Sequence, residues 1–148
     1  MNPTPADRAA AVAHFRAKLS FETDPSDVAA ALATGDPGFV LIDTRSEVSW
    51  RQGHVPGAKH LPTAEIGARA ARELAAGTPL VTYCWGPGCN GSTRAALALS
   101  ELGFAVQEMI GGFKYWSREG LPVQTSDAIV NRPTDPLTAP LSAASCDC

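Results

Sequence analysis

Two short runs, Phe39-Val40-Leu41-Ile42 and Leu80-Val81-Thr82-Tyr83, do most to limit what this chain can fold into. Neither alternates polar with apolar residues, as a strand with one wet face would. Such runs suit strands of a parallel sheet covered on both faces. Around them lie segments with helical spacing and helix-start signals. Thr4-Pro5-Ala6-Asp7 offers a capping threonine, a proline at the first helical position and an acid at the third. Val12, Phe15 and Leu19 follow at helical intervals. Asp24-Pro25-Ser26-Asp27 repeats the signal ahead of Val28 and Leu32, and Gly35 stops it. Ser46 is expected to cap a short helix through Trp50, and Thr63 to cap one carrying Ile66, Ala70 and Leu74. A helix from Ser92 ends at Gly103, Phe104–Met109 reads as a further strand, and Gly111-Gly112 opens a last short helix with Phe113 and Trp116. Strands alternating with helices predict an α/β fold, a central, mainly parallel sheet flanked by helices on both faces.

A chain of 148 residues suits one domain with a real core. Residues 1–23 read as an N-terminal helix and 24–123 as the domain. From 124 to 148 periodicity fails and prolines accumulate, which predicts an extended tail ending in Cys146-Asp147-Cys148. With 12 basic and 15 acidic residues the net charge is −3, and no basic block occurs, so nucleic acid is not an expected partner. No apolar stretch approaches the ~20 residues of a membrane span. The N-terminus lacks the pattern of a signal peptide, so a cytoplasmic protein without a membrane partner is expected. Its four cysteines match no standard zinc spacing, and no metal or cofactor is expected at the domain's centre. The terminal Cys146/Cys148 pair could accept sulfur or bind a soft metal ion, or be a plain chain end.

Cys84 follows the second apolar run directly. It opens the loop Trp85-Gly86-Pro87-Gly88-Cys89-Asn90-Gly91, which leads into the Ser92-Thr93-Arg94 helix start. In parallel sheets, ligands bind beyond the C-terminal ends of strands, and Cys84 and Asp43 both hold such positions. A thiol facing backbone N–H groups and a helix N-terminus is expected to have a lowered pKa. Gly86, Gly88 and Gly91 are expected to adopt positive φ and turn their N–H groups inward. Ser92 or Thr93 could add a hydroxyl donor, and Arg94 a cation. Trp85 is expected at the mouth of the pocket. Trp50, Phe113 and Trp116 read as core, while His14 and His60 carry no signal.

Three blocks in order resemble the rhodanese family of sulfurtransferases. Leu41-Ile42-Asp43-Thr44-Arg45 followed by Gly53-His54-Val55-Pro56-Gly57-Ala58 is similar to the family's Asp-x-Arg and Gly-His-Ile-Pro-Gly-Ala signature. Val81-Thr82-Tyr83-Cys84 looks like the strand that delivers its catalytic cysteine. Gly111-Gly112-Phe113-Lys114-Tyr115-Trp116 with Gly120-Leu121-Pro122 is similar to its closing motif. The resemblance implies that Cys84 takes a sulfane sulfur from a donor such as thiosulfate. The resulting persulfide then passes that sulfur to a thiophilic acceptor, a small or protein thiol included. Asp43, Arg45, His54, Gly111, Gly112 and Trp116 read as structural parts of the motif, Asp43 and Arg45 fixing the strand-end loop.

The loop departs from the family's Cys-x-x-Gly-x-Arg pattern. Cys89 stands at the arginine position, Arg94 comes later, and the loop is longer. Cys89 could resolve a persulfide or sulfenic acid at Cys84 through a disulfide, be a passive loop residue, or be the nucleophile itself. Two other readings follow. One is a non-catalytic or redox-sensing rhodanese-like module using the Cys84–Cys89 pair. The other is a cysteine-dependent phosphatase or arsenate reductase, which needs His-Cys-x5-Arg; here Tyr83 precedes the cysteine and Asn90 holds the arginine position.

Overall fold

A computed structural model describes residues 2–141; the Cys146-Asp147-Cys148 segment lies outside the described residues. The main sheet has five parallel strands in the order β1-β5-β4-β2-β3. These are β1 (Glu22–Thr23), β2 (Val40–Asp43), β3 (Lys59–His60), β4 (Leu80–Tyr83) and β5 (Val106–Met109). The helices are α1 (Pro5–Phe21), α2 (Pro25–Ala33), α3 (Glu47–Gln52), α4 (Ile66–Glu73), α5 (Gly91–Glu101) and α6 (Gly112–Arg118). A two-stranded antiparallel hairpin, β6 (Val123–Gln124) with β7 (Ile129–Val130), follows the last helix. It is tied back to the domain where His54 and Gln124 exchange backbone hydrogen bonds.

Side chains alternate across the two central strands and build a core on each face. Leu41, Val81 and Tyr83 pack with Val28 of α2 and with Phe113 and Trp116 of α6. Ile42 and Leu80 pack on the other face against Ile66 and Ala70 of α4 and Ala95 and Leu99 of α5. Thr82 belongs to that second face, its hydroxyl donating to the Ser92 carbonyl of α5 at 3.2 Å. The same alternation sends the next residue after Tyr83, Cys84, toward the start of α5.

Helix starts mostly follow the sequence signals. Thr4 and Asp7 form a reciprocal capping box, Asp24 caps α2, and Ser46 caps α3. Thr63 does not cap α4. It opens a 3-10 turn, Thr63–Glu65, and its hydroxyl points to the Thr44 and Gly91 carbonyls instead. The start of α4 has no side-chain cap. Phe104 and Ala105 stay outside β5. The apolar positions of α1 face outward: Val12, Phe15 and Leu19 are all exposed. Among the described residues no helix is long and apolar enough to cross a membrane.

Candidate active site

The strand-end frame begins with Asp43 and Arg45, both buried. Arg45 donates to the Asp43 carboxylate through Nη2 at 2.6 Å and Nε at 3.0 Å, and its backbone N–H donates to the same carboxylate at 3.0 Å. The remaining reach of Nη2 goes to the Gly53 carbonyl at 2.7 Å. The Tyr83 hydroxyl donates to Asp43 at 2.6 Å and accepts from the Val55 N–H at 3.1 Å. Burial and the Asp43 charge beside it push the Tyr83 phenol well above its ordinary pKa, so it stays a donor. One carboxylate thereby joins the ends of β2 and β4 and the turn leading to β3. The Arg45 guanidinium also lies over the Trp85 and Phe113 rings, 4.4 and 4.3 Å from their centroids.

His54 and His60 both stack on Trp50, with ring centroids 3.4 and 4.8 Å away. His54 Nδ1 lies 3.0 Å from the Trp50 carbonyl, and His60 Nε2 lies 2.8 Å from the Arg45 carbonyl. His60 gave no signal in the sequence, because a histidine held between a ring and a carbonyl belongs to no motif. Trp50 is half-buried between these rings, whereas Phe113 and Trp116 are core. The Trp116 indole donates to the Pro122 carbonyl at 2.7 Å.

Cys84 directly follows β4 and is buried, at 7% exposure. Its Sγ lies 2.8 Å from Cys89 Sγ, and both cysteines are free thiols. A tight turn brings Cys89 back: Pro87 and Gly88 form its corner, and the Cys89 N–H donates to the Gly86 carbonyl at 2.9 Å. The Trp85 N–H faces both sulfurs, and the Gly91 N–H faces Cys89. Three glycines shape this loop, but not through the left-handed region: Gly86, Gly88 and Gly91 are absent from the positive-φ residues. Their value lies in the missing side chain at two of them. A Cβ on Gly91 would stand 2.7 Å from Cys84 Sγ and 3.4 Å from Cys89 Sγ. One on Gly86 would press on Lys114 at 3.2 Å. Gly88 has open space around it.

Positive φ occurs instead at Gly111, +81°, and Gly112, +59°, and a Cβ on Gly112 would meet the Cys84 carbonyl at 2.6 Å. Next to it the Phe113 N–H donates to the Cys84 carbonyl at 2.9 Å and the Lys114 N–H to the Trp85 carbonyl at 2.7 Å. The Gly111-Gly112 pair therefore clamps the backbone of the cysteine loop from below.

The expected lowering of the Cys84 pKa does not hold. Burial, and then the Cys89 sulfur beside it, push the Cys84 thiol up to about 11. The Cys84 S–H donating to Cys89 holds Cys89 below its ordinary value. The contact between the sulfurs thus makes Cys89, not Cys84, the more acidic of the pair.

Ser92 and Thr93 are not free donors toward sulfur. Each hydroxyl donates to Glu108 Oε1 at 2.7 Å. Glu108 escaped the sequence reading, yet the parallel register sets it beside Thr82, two residues before Cys84. Arg94 is exposed on α5 and Asn90 is exposed at its cap. Trp85 is at the rim, 40% exposed, its indole N–H donating to the Ser49 hydroxyl at 3.2 Å.

Two clefts meet at the loop. One is lined by Cys84, Cys89, Ser92, Thr93, Glu22 and Glu108 and is acidic. The other is lined by Trp85, Cys89, Phe113, Lys114, Arg118 and Arg132 and is basic. Cys89 borders both, and the three cations of the second gave no sequence signal because they come from a short helix and the segment after the hairpin. No three His, Cys, Asp or Glu side chains converge as metal ligands would among the described residues.

A parallel five-stranded sheet, a buried thiol at the end of its central strand and a glycine clamp beneath it define a rhodanese-type domain. The chain belongs to the rhodanese-like domain family, whose model matches residues 24–119. Thiosulfate sulfurtransferase GlpE from Pseudomonas fluorescens (strain SBW25) is 32% identical over 107 residues, covering 72% of this chain and 93% of that protein. The HTH-type transcriptional regulator Rv0324 of Mycobacterium tuberculosis is 35% identical over 83 residues. That match covers 56% of this chain and only 36% of the regulator. Among solved structures, the BH2092 protein from Bacillus halodurans is 36% identical with a TM-score of 0.75, covering 80% of this chain and 87% of that one.

Proposed function

We propose that this domain is a sulfurtransferase that carries a sulfane sulfur as a persulfide on Cys84. The supporting observation is the place of that thiol: at the end of β4, against the first residue of α5, with its proton shared by a second sulfur 2.8 Å away. Cys89, held below the ordinary thiol pKa, accepts the Cys84 proton as Cys84 attacks. The Trp85 N–H and the α5 N-terminus then face the persulfide anion. Likeness to a thiosulfate sulfurtransferase over most of that protein's length supports the same reading.

The donor is thiosulfate or a thiol persulfide, and the acceptor a thiophile such as another thiol. Glu22 and Glu108 repel a dianion on the Cys84 side, whereas Lys114, Arg118 and Arg132 attract one from the other. A donor anion is therefore drawn to the basic cleft, which borders Cys89, and reaches Cys84 past that residue. The chemistry suits a reducing, cytoplasmic setting in which thiols persist. Thiosulfate added to the reduced protein is expected to release one sulfite per chain, and Cys84→Ser to release none. Equal sulfite from Cys84→Ser would overturn the assignment.

The contact between the two sulfurs favours one second reading, an oxidant sensor. Under it, dilute peroxide closes a Cys84–Cys89 disulfide faster than thiosulfate yields sulfite.

A further inference from the structure

The proposed persulfide stands beside a second thiol that sulfur carriage does not require. Cys89 sits at van der Waals overlap with Cys84, 2.8 Å sulfur to sulfur, and closing to the about 2.05 Å of a disulfide needs less than one ångström of movement. Gly91 leaves the space for this approach, since any side chain there would wedge against both sulfurs. The Gly86–Cys89 turn, closed by the Cys89 N–H on the Gly86 carbonyl, holds Cys89 over Cys84. Buried Cys84 is hidden from a bulky acceptor, while Cys89 is half-buried and reaches both clefts.

We propose that Cys89 is a resolving thiol that discharges the Cys84 persulfide as sulfide, making the domain a dithiol-dependent sulfide-releasing enzyme. This rests on the Cys84 persulfide proposed above. In the first step Cys84 Sγ attacks the outer sulfur of thiosulfate; a sulfur–sulfur bond forms, the donor's sulfur–sulfur bond breaks, and sulfite leaves with the electron pair. The Cys84 proton passes to Cys89. In the second step Cys89 Sγ attacks Cys84 Sγ. The Cys84–Cys89 bond forms, the bond to the sulfane sulfur breaks, and that sulfur leaves as HS⁻, carrying the electron pair and the Cys89 proton. The sulfane sulfur is reduced to sulfide, and the two cysteines are oxidised to a disulfide. An external dithiol then reduces the pair, its thiolate attacking Cys89, the sulfur it can reach. A reaction consuming sulfide and a dithiol-reducing system must flank this one.

The test is a single turnover of the pre-reduced protein with thiosulfate, without oxygen or added reductant, at mildly alkaline pH. Sulfite, sulfide and intact mass are read together. Wild type is expected to release one sulfite and one sulfide per chain and to lose the mass of two hydrogens, and dithiothreitol restores a second turnover. Cys89→Ser, which has lost the group that takes the Cys84 proton, is expected to release sulfite more slowly, to gain the mass of one sulfur and to release no sulfide. Gly91→Ala, which forces the sulfurs apart, is expected to shift the product from sulfide toward retained sulfur. Wild type that keeps the added sulfur and yields no sulfide overturns the resolving role while leaving the persulfide intact. Wild type that releases no sulfite, or Cys84→Ser protein that releases as much as wild type, overturns the persulfide itself.

Discussion

Asp43→Asn removes one charge and almost no volume, so it isolates what the strand-end ion pair contributes. In the wild type the Asp43 carboxylate accepts from Arg45 Nε and Nη2, from the Arg45 backbone and from the Tyr83 hydroxyl. Asparagine keeps one acceptor oxygen but turns an NH2 toward donors, leaving the Arg45 cation, 3% exposed, without its counter-charge. Breaking one side of a buried pair costs about 3–5 kcal/mol, out of a total near 5–15 kcal/mol for a domain. With a urea slope of about 2 kcal/mol per molar, the midpoint falls by about 2 M at unchanged slope. Urea titration followed by far-ultraviolet circular dichroism measures this. Replacing both partners, as in Asp43→Asn with Arg45→Met, is expected to be less damaging than the sum of the two single losses, because the stranded charge is then gone. A midpoint shift below about 0.5 M for Asp43→Asn, or single losses that simply add, would refute the electrostatic argument.

Gly112→Ala forces a side chain into the left-handed region, at about 1–2 kcal/mol, and against the Cys84 carbonyl at 2.6 Å. A fall in Tm of about 5 °C or more, with slower sulfite release, is expected by scanning calorimetry and a sulfite assay; an unchanged Tm means the clamp is not tight. The sulfur pair also predicts a pH profile. Cys89 lies below and Cys84, at about 11, above the ordinary thiol range. Iodoacetamide at neutral pH is therefore expected to label Cys89 first. Labelling of Cys89 is lost as pH falls through its lowered pKa, and that of Cys84 is gained as pH rises toward 11. Peptide mass mapping that finds Cys84 labelled first at neutral pH contradicts that proton placement.

The sheet was legible because Phe39–Ile42 and Leu80–Tyr83 carry too little polarity for anything but a doubly covered strand, and the caps at Thr4, Asp24 and Ser46 because their oxygens find partners within the first turn of their own helix. Thr63 misled for the opposite reason: two carbonyls from other elements, those of Thr44 and Gly91, sit within reach of its hydroxyl. The loop glycines were found by position, but a sequence does not distinguish a glycine needed for its φ from one needed for space. At Gly91 it is space, at Gly112 both. The raised pKa of Cys84 was hidden likewise. A strand end and a helix start argue for a thiolate, and only the depth of burial and the facing sulfur reverse the order of the pair. Glu108 and the Lys114, Arg118 and Arg132 cluster depend on register and on a late segment folding back, which no local pattern encodes.

The glycine clamp has a consequence in time. A nascent chain that has emerged only as far as α5 already holds β4, its thiol and the helix that follows, but not the two N–H groups that fix the Cys84 and Trp85 carbonyls. Those arrive with Phe113 and Lys114, near the end of the matched domain. During synthesis the thiol is thus made before the groups that fix its loop, and the loop is tied down only once α6 has followed.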